Sequence, residues 1–201
     1  MPDDQHPAPS PLPILRGERV YLRPAERSDL ALFVRWLADA EVAHHLAVRS
    51  PISEAMEDKW FDQMVEQQGR DRYHFVICLL DGRPIGATDL REINLEDGRA
   101  AFGIMIGEKA EWNRGYGTDA LNAICDFGFG QLRLERIELD VYADNKRAQR
   151  SYEKAGFRHE GTLRRGHFVD GRFMDVERMA LLRDEWLARD RPKSWEMTAS
   201  S

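Results

Sequence analysis

With 201 residues, 42% of them hydrophobic, the chain has the size and apolar content for one domain around one core. A formal net charge of −6 argues against a nucleic-acid binder, which carries a basic face, and mildly favours cationic partners. The two cysteines, Cys78 and Cys125, lie far apart without a CxxC pair, so neither a disulfide framework nor a zinc-ligand set is suggested.

Pro2, Pro7, Pro9, Pro11 and Pro13 crowd a polar start that suits neither helix nor central strand, so residues 1–14 are expected to be disordered. That start lacks the basic region and apolar core of a signal peptide, and no run approaches the ~18 apolar residues that span a bilayer. A cytoplasmic protein with no membrane partner is expected. Residues 20–23 read as a short strand and 28–37 as a helix capped by Ser28. Residues 53–67 form a second helix with Ser53 as N-cap and Met56, Trp60, Phe61 and Met64 on one apolar face. Trp36 and Trp60 are assigned to the core. Three extended runs follow, 73–80, 84–93 and 99–107, and the turn signals Asp81-Gly82 and Asp97-Gly98 between them predict antiparallel hairpins. Beyond them 115–129 reads as helix, 136–142 as strand, 145–155 as helix, and 157–167 and 172–182 as strands. The order is β-α-α-β-β-β-α-β-α-β-β, within a domain spanning 15–187. Residues 188–201 are polar and proline-interrupted, a tail whose expected anchor is Trp195.

From Glu111 to Ala120, glycines precede a helix and leave successive main-chain N–H groups free to point at an anion. Gly115 and Gly117 permit close backbone approach, the helix dipole adds positive potential, and Arg114 offers a further cation. The pattern fits a pyrophosphate cradle, and equally a tight strand-to-helix turn. It also matches a dinucleotide fingerprint, Gly115-x-Gly117-x-x-Ala120 with Glu135 or Glu138 as ribose ligand, but an antiparallel meander is the wrong context for that fold. Residues 145–157 form a short helix with Asn145 as N-cap and Gly156 as C-cap. Asn145, Ala148 and Tyr152 share a face about 10 Å long, fit to lie along an extended ligand. The same spacing fits an amphipathic helix with Tyr152 half-buried in the core.

Together these two segments resemble those of the GNAT superfamily of N-acetyltransferases, over about residues 16–187. The family's pyrophosphate-loop pattern, Gln/Arg-x-x-Gly-x-Gly/Ala, is met by Arg114, Gly115, Tyr116, Gly117 and Thr118 and departs at Asp119, where a small residue is usual. The second motif, Asn-x-x-Ala-x-x-x-Tyr-x-Lys-x-Gly-Phe, is present as Asn145, Ala148, Tyr152, Lys154, Gly156 and Phe157. Tyr21-Leu-Arg-Pro24 with Asp29-Leu30, and the stretch from Ile85-Gly86 to Ile93, are similar to ribosomal-protein alanine acetyltransferases and spermidine N-acetyltransferases.

The resemblance implies an α/β (α+β) fold of the GNAT type, a mixed, mostly antiparallel sheet flanked by helices and splayed at the cofactor site. It implies acetyl transfer from acetyl-CoA to a primary amine by direct attack in a ternary complex, without a metal. Main-chain groups of Met105 and Ile106 would pair with the pantetheine, residues 114–118 would hold the pyrophosphate, and Asn145, Arg147 and Ala148 would flank the cofactor, with Arg147 preferred over Arg150 for the phosphates. A protonated amine must lose a proton before attack, for which Glu92 is the candidate base or substrate ligand and Asp89 the alternate on the opposite strand face. Tyr152 holds the position of the family's acid, which returns a proton to the departing thiolate. The acceptor is expected to be a peptide N-terminus, a polyamine or another small amine; a noncatalytic coenzyme A-binding regulatory module is the alternative, against which the intact Tyr152 argues. The adjacent His44 and His45 lack metal-ligand spacing on a helix face and read as a solvated pair. Arg164, Arg165 and His167 are placed at the acceptor entrance, and a homodimer is the default assembly.

Overall fold

The structure, a computed structural model, describes residues 15–46, 48 and 51–197. The expected disorder of residues 1–14 lies outside them. In chain order the elements are β1 (Leu15–Arg16), β2 (Val20–Pro24), α1 (Leu30–Leu37), α2 (Ala40–Ala43), α3 (Glu54–Gln67), β3 (Tyr73–Leu79), β4 (Pro84–Asn94) and β5 (Arg99–Ile106). There follow α4 (Tyr116–Gly130), β6 (Arg136–Tyr142), α5 (Lys146–Lys154), β7 (Arg158–Val169), β8 (Arg172–Leu182), α6 (Arg183–Leu187) and α7 (Ser194–Met197).

The strands form one eight-stranded sheet in the order β1-β2-β3-β4-β5-β6-β8-β7. Every neighbouring pair is antiparallel except β5 and β6, which are parallel and pair only from Arg99↔Arg136 to Ala101↔Glu138. Beyond Ala101 the two strands part, while β5 stays paired to β4 as far as Ile106 and β6 to β8 as far as Tyr142. Strand alternation divides the core: Phe75 and Ile77 face a cluster with Leu121, Ile124 and Phe129 of α4, whereas Val76 and Cys78 face Phe33, Trp36, Phe61 and Met64 of α1 and α3. Leu121, Ile124 and Phe129 are fully buried, each worth about 1.5–3 kcal/mol of transfer free energy, and they hold α4 against the sheet beneath the parting. No helix of the described residues is long and apolar enough to cross a membrane.

Local chemistry explains most boundaries. Ser53 Oγ accepts from Met56 N–H at 3.3 Å and starts α3 as expected. Gly82, with φ at +93°, turns β3 into β4, and Gly98, at +64°, turns β4 into β5. Ser28 does not cap α1. Asp29 is buried, takes a two-pronged ion pair from Arg23 of β2 at 2.7 Å on each oxygen and accepts from Glu26 N–H, so a short 3-10 turn at Arg27–Asp29 precedes the helix.

The C-terminal segment is held by more than Trp195. Asp126 of α4 is fully buried and accepts from Trp186 Nε1 at 2.8 Å, from Arg191 Nη1 at 3.0 Å and from Ser194 N–H at 2.8 Å. One buried carboxylate therefore ties α6 and α7 to the long helix. Asp126→Ala leaves Arg191 unpaired in that pocket and is expected to lower stability by about 3–5 kcal/mol in urea titration. A loss below about 1 kcal/mol would show that the segment docks on apolar contacts alone.

Candidate active site

Where β5 leaves β6, a cleft of about 1040 Å³ opens between the strands, the α4 N-terminus, α5 and the arm that carries α2. Strand periodicity assigns the main-chain groups on its wall. Gly107 N–H bonds to Ile85 carbonyl on β4 at 2.9 Å, so two-residue alternation turns the groups of Met105 and Gly103 toward β4 as well. Those of Ile104 and Ile106 face the gap. The expectation that the main chain of Met105 faces the gap is thereby corrected: its backbone is committed to the sheet, and the open groups are those of Ile104 and Ile106. Ile106 contributes its N–H only, because its carbonyl accepts from Trp112 Nε1 at 2.7 Å.

At one end of the cleft, Gly115 adopts φ of +84° and delivers the chain into α4. The first main-chain bond of that helix runs from Asp119 N–H to Gly115 carbonyl at 3.0 Å. The N–H groups of Tyr116, Gly117 and Thr118 have no protein acceptor among the described residues and converge at the positive end of the helix dipole. Open donors at a helix N-terminus have the geometry that suits an anion. Thr118 Oγ1 meets Ser151 Oγ at 2.7 Å and joins the cradle to α5, while the Arg147 guanidinium stacks 3.8 Å over the Trp112 ring. Asn145 Oδ1 accepts from Ala148 N–H at 3.1 Å and caps α5 as expected. Arg114 does not line the cleft. Its side chain lies 3.4 Å from Glu111, a buried carboxylate that also pairs with Arg83 at 2.7 Å, and its carbonyl accepts from Arg19.

Tyr152 projects from α5 into the middle of the cleft, 9% exposed, with its ring edge-on to Phe102 at a centroid distance of 6.2 Å. Its hydroxyl has no hydrogen-bond partner among the described residues. Burial pushes its pKa up to about 12, opposed only by the nearby Arg91 cation, so the phenol is protonated at any physiological pH.

Glu92 is not brought to this centre. It sits in left-handed backbone, φ +54°, at the irregularity that interrupts the pairing of β4 with β5 between Arg91 and Asn94, and its exposed side chain is absent from the cleft wall. The alternate, Asp89, is on that wall, hydrogen-bonded to Arg91 Nη1 at 2.8 Å and 4.0 Å from Arg72 Nε. His74 stands beside them with its ring 4.9 Å from that of Trp60, both ring nitrogens buried and unpartnered; burial lowers its pKa to about 4, which keeps it neutral.

Two further expectations change. His44 and His45 are not a solvated pair: they turn toward Asp144, His45 Nε2 lies 3.3 Å from its carboxylate, and the three residues place ligand-type atoms within 4.8 Å of one another. They follow the last residue of α2, His44 as its C-cap with N–H bonded to Ala40 carbonyl at 3.0 Å, and their rings meet edge-on at 4.6 Å. His167 lines the cleft and stacks on Tyr142 at 4.3 Å, but Arg164 and Arg165 fall in the irregularity between Leu163 and His167 and do not line it.

The departure at Asp119 has a structural partner that sequence reasoning did not find. Its carboxylate accepts from the main-chain N–H groups of Glu18, Arg19 and Val20 at 3.0, 2.8 and 3.0 Å, fastening the turn between β1 and β2 to the first turn of α4.

The acetyltransferase (GNAT) domain family matches residues 19–158. A spermidine N(1)-acetyltransferase of Escherichia coli (strain K12) is 32% identical over 170 residues, covering 84% of this chain and 89% of its own. An uncharacterized N-acetyltransferase p20 of Bacillus licheniformis is 28% identical over 175 residues, 86% of this chain and 97% of its own. Among solved structures, a spermidine N-acetyltransferase from Vibrio cholerae in complex with CoA and spermine matches with a TM-score of 0.78 at 27% identity, over 84% of this chain and 98% of that one.

Gly117 separates ligand binding from stability. An added Cβ meets nothing nearer than Ile106 Cγ1 at 3.7 Å, and alanine is favoured over glycine inside a helix by about 1 kcal/mol. Gly117→Ala is therefore expected to keep or raise Tm while weakening calorimetric uptake of a pyrophosphate-bearing ligand such as coenzyme A; unchanged affinity would place the phosphates elsewhere.

Proposed function

Because the chain belongs to the GNAT acetyltransferase domain family and is an N-acetyltransferase, we propose that its cleft binds acetyl-CoA and a primary amine together and passes the acetyl group directly between them. The observation that carries this reading is the meeting of three features in one cleft: free N–H groups at the α4 N-terminus, unpaired main-chain groups on β5, and a protonated phenol between them. The pyrophosphate lies on Tyr116, Gly117 and Thr118, with Arg147 beside it. The pantetheine arm fills the gap left by β6 and pairs with Ile104 and the Ile106 N–H, replacing the strand that turned away. One of these N–H groups polarises the thioester carbonyl.

Asp89 orients the amine and takes its proton. The freed lone pair attacks the carbonyl carbon and a C–N bond forms; the C–S bond breaks as Tyr152 donates its proton to the sulfur that leaves, and the second proton shed by the nitrogen passes through solvent to return the phenolate to phenol. The burial that keeps the phenol neutral also raises the basicity of a thiolate expelled beside it, so donor and acceptor are shifted in the same sense. No acyl-enzyme is formed.

Thiol release by the purified chain with acetyl-CoA and a panel of primary amines tests the reading, and absence of turnover on every amine would overturn it. Tyr152→Phe is expected to lower kcat by about 100-fold or more, the scale of general acid catalysis, with acetyl-CoA affinity nearly unchanged. Equal loss of both would make Tyr152 a packing residue. Asp89→Asn is expected to reduce kcat in the same thiol-release assay, and an unchanged kcat would remove Asp89 from the proton transfer.

A further inference from the structure

The charge arrangement at the acceptor end identifies a narrower substrate class, an inference that rests on the transferase reading. Every carboxylate lining the cleft among the described residues already has a cationic partner. Glu41 meets Lys109 at 3.2 Å, Glu111 meets Arg83 at 2.7 Å, Asp140 takes both prongs of Arg178 at 2.9 Å, and Asp89 meets Arg91 at 2.8 Å. A polyamine would bring several ammonium groups into a space with no unpaired carboxylate to receive them.

At the acceptor end the balance is positive: two guanidiniums, Arg72 and Arg91, stand on the single carboxylate of Asp89. Each guanidinium carries five N–H donors. Only one contact to Asp89 is made by each, the remaining donors have no acceptor among the described residues, and the two side chains are 28% and 35% exposed. The triad is a built feature. It lies across β5 at Gly103, where a Cβ would sit 2.3 Å from Arg91 Nη1 and 2.5 Å from Asp89 Oδ1. Arg72, Asp89 and Arg91 line the same cleft as Tyr152, whose ring lies edge-on to Phe102 on the neighbouring β5. The neutral His74 adds no charge, and with Trp60 it forms an uncharged wall at the same end.

We propose that the acceptor is a free α-amino acid, whose ammonium group lies on Asp89 and whose carboxylate takes the open donors of Arg91 and Arg72. The spacing selects this class. Negative and positive subsites adjoin at 2.8 Å, so the acceptor's own charges must adjoin, as they do across one carbon of an α-amino acid. A peptide N-terminus sets a neutral amide where the guanidiniums need an anion. A polyamine sets a second cation there, which like-charge repulsion disfavours. An α-carboxylate can bridge both guanidiniums through charge-assisted hydrogen bonds, the strongest class available at such a site.

The test compares initial rates of the full chain, at fixed acetyl-CoA, on neutral L-α-amino acids, on the matching α-carboxamides and on spermidine. The carboxylate form is expected to exceed its carboxamide and spermidine in kcat/KM by about tenfold or more, the scale of one lost charge-assisted contact. Arg91→Gln and Arg72→Gln should raise KM for the amino acid and bring the carboxylate-to-carboxamide ratio toward one. A merely structural role would lower both rates and leave the ratio in place, and that result would overturn the assignment. Spermidine or the carboxamide preferred over the amino acid would also overturn it, while leaving the transferase reading intact. No turnover on any of the three, with calorimetry showing no amino acid uptake by the coenzyme A-loaded protein, would overturn both.

Discussion

The parting of two parallel strands governs the arrangement of this protein. β5 and β6 share hydrogen bonds only from Arg99↔Arg136 to Ala101↔Glu138, and each then follows its antiparallel neighbour instead. Buried main-chain polar groups need partners. The unpaired edge of β5 beyond Ala101 therefore presents a donor and acceptor pattern that an extended ligand carrying amides can complete. The same parting brings the start of α4 and the inner face of α5 to opposite sides of one gap, which is why residues far apart in sequence, Gly117 and Tyr152, serve one cleft.

Charge is distributed unevenly between the molecule and its cleft. The chain is acidic overall, at −6, and that balance suggested a cationic acceptor. Inside the cleft the carboxylates are neutralised one by one, and uncommitted guanidinium donors remain at the acceptor end. Net charge describes the long-range field around a protein. What a site selects depends on which charges are already satisfied within a few ångströms, and whole-chain totals carry no information about that.

The features legible in the sequence were those written locally. Glycines at turns, the Ser53 and Asn145 caps and the switch from period two to helical period gave the main strands and helices nearly in place, and the two motif segments turned out to line one cleft. What escaped depends on contacts across the fold. Asp29 is recruited by Arg23, Asp126 by Arg191 and Ser194, and Asp89 by Arg91 and Arg72, none of which has a periodic signature. Glu92 was misplaced because strand alternation was assumed to continue through a position where the backbone turns left-handed. Met105 was misassigned for a related reason: which residues of a strand face which neighbour is set by register, and register is a tertiary property.

The clamp at Asp119 carries an evolutionary corollary. Its carboxylate leaves no room at the turn it fastens, since a Cβ on Gly17 would lie 2.4 Å from Asp119 Oδ2. Positions 17 and 119 therefore behave as one coupled character. In a relative that holds a small side chain at 119, 17 is released from glycine, and the two sites should covary although about a hundred residues separate them in the chain.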